Sequence, residues 1–466
     1  MEKASMPFVY GEEVEYGLVL LNSREKFPRL ARSLFAPLLH ASPEKGIFTA
    51  NGSRFYVDRE HPEMATPECV QPADLVLWSM ANDLYLLELK GKAQDLWTRE
   101  GREGSIQIFK NNSDGDISFG CHENYMISIE IPMERLIYFL MPFLVTRQLF
   151  CGTGSVWRDD SGRVHFEISQ RSRFMSQVKS ATPTFNRGII STRQEHETLA
   201  GQNFRRLHLI LADSNMSEVS QYVRVAATGL VLEMIERNCF DEAPPLLRDT
   251  IQSLHRTSEA ENPHVALGLA DGRIQSALEI QWWYANRAEA FLEENFKTMN
   301  HFSAMKTAWE TWVNILTDLQ KGFMNSLAGS VDWVIKKQFL DYILSRHGCR
   351  WDNMDEEVYQ EVKDWDLRYH SIETKGEWEG LFNFLKRKGK IKTILDPELV
   401  VWAKDHPPQN TRAFTRGTLI REFPVLSRFF SWDKLELDAE HVFEFPDPLN
   451  TYVDLKEEIS FVQKGF

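Results

Sequence analysis

Residues 51–69 read NGSRFYVDREHPEMATPEC. Side chains two apart on a strand share a face, so Arg54, Tyr56 and Asp58 project together. Phe55 and Val57 point the other way, toward a core. The polar face then carries a guanidinium suited to phosphate oxygens, a phenol and a carboxylate in one row. Glu63 and Thr66 follow, after an expected Pro-containing bend at Pro62. Taken alone, an ordinary surface strand with an incidental ion pair accounts for the segment equally well.

Outward from this strand, the first half alternates strand signals with turns. Strands are predicted over 9–22, 53–58, 106–110, 119–129, 164–169 and 206–212, with a helix over 72–89. The interval 218–238 has apolar residues at helical spacing, and 264–396 holds no proline at all. That interval predicts a helical bundle whose many Trp residues belong to its core. Pro407 and Pro408 break the helices. A small unit follows, with a helix near 419–429 and the alternating stretches LELD and HVFEF. About 50 residues bury little on their own, so this unit is expected to pack against the rest. The fold class is α+β, with a large domain over 1–404 and a small C-terminal domain over 405–466.

The chain has 466 residues, 43% hydrophobic and 26% charged, with a net charge of -14. That balance argues against a surface that tracks nucleic acid throughout. The densest basic run, FLKRKGKIK over 384–392, reads as a solvated helix end and turn, or as a contact for an acidic partner. Five scattered cysteines without a CxxC fit free thiols in a reducing cytosol and disfavour zinc. The first residues lack a signal-peptide pattern, and LIYFLMPFLV is too short to span a bilayer and contains Pro142. A soluble, cytoplasmic protein is expected, with neither nucleic acid nor membrane as partner.

Several further stretches carry chemistry. Glu13 and Glu15 in GEEVEYG share a strand face, and carboxylates so placed repel unless a cation lies near; hard oxygen ligands suit Mg²⁺. In GCHENY, His122 and Asn124 face one way and Glu123 and Tyr125 the other. FRRLHLILADSN contributes Arg205, Arg206, His208, Asp213 and Asn215. Arg412 and Arg416 in NTRAFTRG suit either phosphate binding or capping of the small unit. For these last three stretches, ordinary surface or satisfied core groups remain an open reading. No P-loop, HExxH or GxSxG occurs. A nucleotide would therefore need a carboxylate-lined sheet and metal ions.

The motifs GEEVEYG, NGSRFYVD, HPEMATPEC, KNNSDG, GCHENY, PFLVTRQL, RRLHLILADSNMSE and PPQNTRAFTRG occur in the order found in the Pup ligase and depupylase family. The resemblance spans 11–432. It implies a glutamine-synthetase-like large domain, a curved antiparallel sheet packed with helices, plus a small C-terminal domain. By this resemblance Glu13, Tyr56 and Glu63 are Mg²⁺ ligands. Arg54, Thr66 and Trp432 are ATP contacts, and Asp58 is the catalytic aspartate. Glu15, His122 and His208 are further members of the site. The implied activity is ATP-dependent formation of an isopeptide bond between the C-terminal glutamate of Pup, or a Pup-like modifier, and a lysine of a target protein in the proteasome pathway.

The depupylase branch usually carries a long insertion before the NG.R.Y.D strand, and residues 18–50 have the shorter, ligase-like length. GCHENY, LVTRQLFCG and DSNMSE also resemble the ligase. VEYG, the compact YVDREHPE spacing and TRAFTRG lean toward the depupylase. The missing insertion favours the ligase; a depupylase, or a small-molecule carboxylate–amine ligase on the same fold, is the alternative.

Overall fold

A computed structural model describes residues 9–23, 29–39, 41–182, 186–193, 203–260, 262–297, 299 and 301–464. Residues 1–8, read above for a signal peptide, and 24–28 and 40 of the 18–50 segment lie outside these. The chain divides into two compact units. One gathers 9–110 and 395–466; the other gathers 111–193 and 203–394.

The first unit contains β1 (Tyr10–Glu15), β2 (Gly17–Leu21), β3 (Ile47–Phe48), β4 (Arg54–Asp58), β5 (His61–Ala65) and β6 (Ser105–Phe109). Four of these run in the order β1-β5-β4-β3, every pair antiparallel. The single strand expected over 9–22 is two strands, because β2 leaves to pair with β6. Tyr16 marks the break. Its amide bonds Pro62 O at 2.9 Å and its hydroxyl donates to Asp83 at 2.6 Å. Past this residue the alternation gives way to Gly17 and the unbroken apolar run 18–21, LVLL, which is the sign the sequence carries of the switch.

One face of these strands buries Val14, Phe55, Val57 and Met64. Helices Leu30–Leu39 and Pro72–Arg99 pack there, with Phe35 edge-on to Phe55 at 5.3 Å. Proline at the start of the second helix suits the first turn. The helix extends past its expected end at 89 because Leu86, Leu89, Ala93 and Trp97 continue the buried stripe.

In the C-terminal part, helix Ala413–Glu422 stops before Pro424, and a 3₁₀ turn, Pro424–Arg428, replaces the remainder of the expected helix. Strands Lys434–Glu436 and Val442–Glu444 pair antiparallel. Leu419, Leu426, Phe430, Leu435, Phe443 and Phe445 form one core together with Phe48 of β3. The small C-terminal segment thus completes its core with a strand from far earlier in the chain.

The second unit contains β7 (Cys121–Ser128), β8 (Ser155–Arg158), β9 (Val164–Glu167), β10 (Gln177–Ser180), β11 (Gly188–Ser191) and β12 (Phe204–Leu209). Here the order is β10-β11-β12-β7, with β8 and β9 a separate hairpin. β10 and β11 run parallel, so the expected antiparallel sheet is mixed. Gly188 permits their close approach: a Cβ there would lie 2.5 Å from Ser180 N.

Helix Glu218–Glu236 is buried along nearly its whole length. The bundle comprises Ala277–Asn295, Phe302–Lys321, Asp332–Arg346, Glu356–Tyr369 and Leu381–Arg387, with a short hairpin at Ala266–Gly268 and Ile274–Ser276. Trp312 and Trp333 are wholly buried in it. The basic run is a helix end in which Lys386 pairs with Glu218 at 2.6 Å and Arg387 with Glu379 at 2.7 Å. Among the described residues, no helix is long and apolar enough to cross a membrane.

Candidate active site

The site grows from the register of three strands. Glu15 pairs with Glu63, and Glu63 with Tyr56, so these three form one row. In the next rows Glu13 and Arg54 flank Ala65, and Asp58 faces His61. Cross-strand partners share a face. Glu13, Glu15, Asp58 and Glu63 therefore lie on the same face as Arg54 and Tyr56, opposite the apolar one.

The chain reverses at Arg59 and Glu60, not at Pro62. Asp58 pairs with His61 across them, and Arg59 takes φ 53°. Pro62 sits inside β5, where it has no N–H to offer Tyr16 O. His61 Nδ1 lies 3.1 Å from that carbonyl and takes the donor's place.

The carboxylates are crowded. Oxygens of Glu15, Asp58 and Glu63 lie within 4.8 Å of one another. Glu63 is 2% exposed. Burial, then the charges of Glu15 and Glu13, push its carboxyl well above the usual range, against a hydrogen bond from Tyr56. Burial, then Glu63 and Glu13, likewise raise the Tyr56 phenol. Tyr56 thus stays protonated and presents a neutral oxygen. Arg54 lies over the Tyr56 ring at 4.5 Å. Its Nε and Nη2 donate to Lys45 O at 3.2 and 2.8 Å, which fixes the guanidinium plane.

This donor set fits a magnesium ion. Ligand oxygens around Mg²⁺ stand roughly 3–4 Å apart, within the reach found here, and all are hard oxygens. Among the described residues of these strands, this face gathers Glu13, Glu15, Asp58 and Glu63 with Arg54, a concentration of hard anionic ligands that suits a divalent cation. Glu63, Glu13 and Tyr56 are the residues expected to hold it. The structure also brings Glu15 and Asp58 to Glu63.

Thr66 is 4% exposed, just past β5. Its Oγ1 accepts from the Glu12 amide at 3.0 Å while its own amide bonds Glu12 O at 2.9 Å. Trp432 stands edge-on to Phe48 at 5.0 Å, and Phe48 pairs in register with Arg54. Trp432 thereby joins the Arg54 end of the sheet.

Arg412 and Arg416 converge on Glu68, at 2.6 and 2.5 Å. They tie the C-terminal helix to the HPEMATPEC segment. Burial acts to raise the Glu68 carboxyl, but the two guanidiniums outweigh it and pull it down to about 2. Glu68 went unnoticed in the sequence. Its signal in the sequence is a charged residue two positions after Thr66, inside the HPEMATPEC motif.

In the second unit, His122 and His208 come together, ring to ring at 5.0 Å. Asp213 accepts from Thr153 N, Gln170 N and Ser169 Oγ at 2.9–3.0 Å, and Asn215 donates to Asp332 at 2.9 Å. Both are buried core groups, Asp213 held by three donors and Asn215 anchored through its amide nitrogen.

Comparison with known proteins bears on the family and the fold. The Pup-ligase protein family matches residues 9–436. A Pup–protein ligase of Arthrobacter sp. (strain FB24) is 35% identical over 439 residues, 92% of each chain. One of Kribbella flavida is 34% identical over 465 residues, 97% of this chain and 98% of its own. The complex between prokaryotic ubiquitin-like protein Pup and its ligase PafA superposes with a TM-score of 0.87 at 31% identity, covering 98% of this chain and 93% of that one. The Pup ligase PafA in complex with ADP gives 0.81 at 32% identity, covering 96% and 95%. With sequence likeness and fold agreeing over nearly its full length, this chain belongs to the Pup-ligase family.

Proposed function

We propose that this chain is an ATP-dependent ligase that joins the side-chain carboxylate of the C-terminal glutamate of Pup, or a Pup-like modifier, to a lysine of a target protein. One observation carries the reading: Glu15, Asp58 and Glu63 converge beside Arg54 in a family with members solved with Pup and with ADP. A carboxylate does not condense with an amine at neutral pH, because oxide is a poor leaving group. Transfer of the ATP γ-phosphoryl group to the glutamate side chain makes it an acyl phosphate with a good leaving group.

Arg54, Thr66 and Trp432 contact the nucleotide. Arg54, with its plane fixed by Lys45 O, sets positive charge against phosphate oxygens as negative charge builds. Glu13, Tyr56 and Glu63 would hold Mg²⁺, which would supply further positive charge to the triphosphate. Asp58 is the exposed member of the cluster, within reach of a lysine on a large substrate. With a lysine pKa of ~10.4, the amine arrives protonated. Asp58 accepts that proton and orients the amine toward the acyl carbon. The free thiols of all five cysteines support a cytoplasmic setting, and proteasomal delivery of the conjugate belongs to the same reading.

The test incubates the protein with ATP, Mg²⁺, a Pup ending in glutamate and a lysine-bearing protein. A lysine-linked conjugate formed together with ADP and phosphate is expected. No conjugate, but cleavage of a preformed one, would make the chain a depupylase instead.

A further inference from the structure

Arg416 lies on helix Ala413–Glu422 and is 1% exposed. Its guanidinium reaches three separate stretches of chain. Nη2 meets Glu68 Oε2 at 2.5 Å. Nε and Nη2 donate to Gly52 O at 3.2 and 2.9 Å. Nη1 donates to Trp432 O at 3.0 Å. The rings of Phe48 and Trp432, themselves 5.0 Å apart, lie against its guanidinium with centroids 4.8 and 5.1 Å from Cζ. Gly52 is two residues before Arg54, Glu68 is two after Thr66, and Trp432 is touched directly. Every residue assigned to the nucleotide is thus within two positions of an Arg416 contact.

The Gly52 turn is held from its other side as well. Asn82 Oδ1 accepts from Ser53 Oγ at 2.8 Å and from Asn51 Nδ2 at 3.3 Å. Gly52 has φ 82°, and a Cβ there would come 3.0 Å from Ala413. The turn therefore has one conformation, and the C-terminal helix packs directly on it. Arg412 shares Glu68 but otherwise bonds Phe445 O at 3.0 Å and touches neither Gly52 nor Trp432. The two arginines differ in what they hold.

We propose that Arg416 is a positioning residue for the nucleotide site, one guanidinium that sets Arg54, Thr66 and Trp432 in register by binding Gly52, Glu68 and Trp432 at once. A planar fork with five donors does this; a lysine ammonium keeps the charge and loses the plane. The proposal rests on the ligase reading for the nucleotide's identity as ATP.

The test is ATP binding by calorimetry, paired with thermal unfolding, for the full chain with Mg²⁺. Arg416→Lys is expected to raise the Kd for ATP at least about tenfold, ~1.4 kcal/mol, and to raise KM for ATP while KM for Pup holds. Arg412→Lys is expected to lower Tm comparably with Kd within about twofold of wild type. Should Arg416→Lys fail to fold, Phe48→Leu removes one of the two rings against the guanidinium and is expected to weaken ATP severalfold. Wild-type ATP affinity in the folded variant, or an equal loss in Arg412→Lys, overturns the proposal. The two readings separate cleanly: wild-type protein that binds ATP but forms no conjugate refutes the ligase reading and leaves the role of Arg416 standing.

Discussion

Replacing Glu68 by Gln removes the one carboxylate that two buried arginines share. Glu68, Arg412 and Arg416 are 8%, 7% and 1% exposed. Burial opposes ionisation of Glu68, yet Arg416 and Arg412 hold its carboxyl at about 2. Against an ordinary glutamate near ~4.3, at ~1.4 kcal/mol per pH unit, the stabilisation is about 3 kcal/mol at neutral pH. Two uncompensated guanidiniums place the cost of Glu68→Gln at about 3–5 kcal/mol. The sign is fixed by the lowered value. The contribution is whole above the unfolded pKa and is lost as pH falls from ~4.3 toward 2. Urea unfolding of both proteins at pH 7 and again near pH 3 measures it. The gap is expected to be about 3 kcal/mol or more at pH 7 and to narrow at the acid end. A gap below about 1 kcal/mol at pH 7, or one independent of pH, refutes the account of this cluster.

Two further outcomes follow from the carboxylate row. Asp58→Asn is expected to lower conjugation by at least ~100-fold, the usual scale for losing a general base, with the Kd for ATP near wild type; severe loss of ATP binding would move Asp58 out of the proton-accepting role. Glu63, whose carboxyl burial and neighbouring carboxylates raise, holds a proton that a cation must displace. Its own contribution to folding therefore falls as pH climbs above the ordinary glutamate value, and Mg²⁺ reverses that loss. The Mg²⁺-induced rise in Tm is expected to grow between pH 5 and 8 in wild type and to flatten in Glu63→Gln; a rise that ignores pH would count against a cation at Glu63.

The row on β4 was legible because strand alternation depends on local sequence alone. Arg54, Tyr56 and Asp58 project opposite Phe55 and Val57, which are wholly buried. The pairing of Glu63 with Tyr56 and Glu15 was not legible. It follows from a reversal at Arg59 and Glu60, and the proline that drew attention is accommodated within β5. The division of 9–22 at Tyr16 coincides with the end of alternation, where Gly17 and the apolar run LVLL begin a strand that pairs elsewhere. The parallel approach of β10 and β11 depends on a missing Cβ at Gly188, which no strand periodicity reveals. Arg416 and Glu68 are 348 residues apart in the chain, so no local pattern links them. Motif order supplied the family where periodicity could not, and geometry then showed Glu15 beside Asp58 and Glu63.

The central claim is that this site activates a carboxylate by phosphorylating it. The most direct measurement offers hydroxylamine in place of the lysine protein, with ATP, Mg²⁺ and a Pup ending in glutamate, and reads the modifier by mass spectrometry. A hydroxamate on the C-terminal glutamate side chain, formed one for one with ADP, is the predicted result. No hydroxamate, or formation of AMP in place of ADP, would contradict the account.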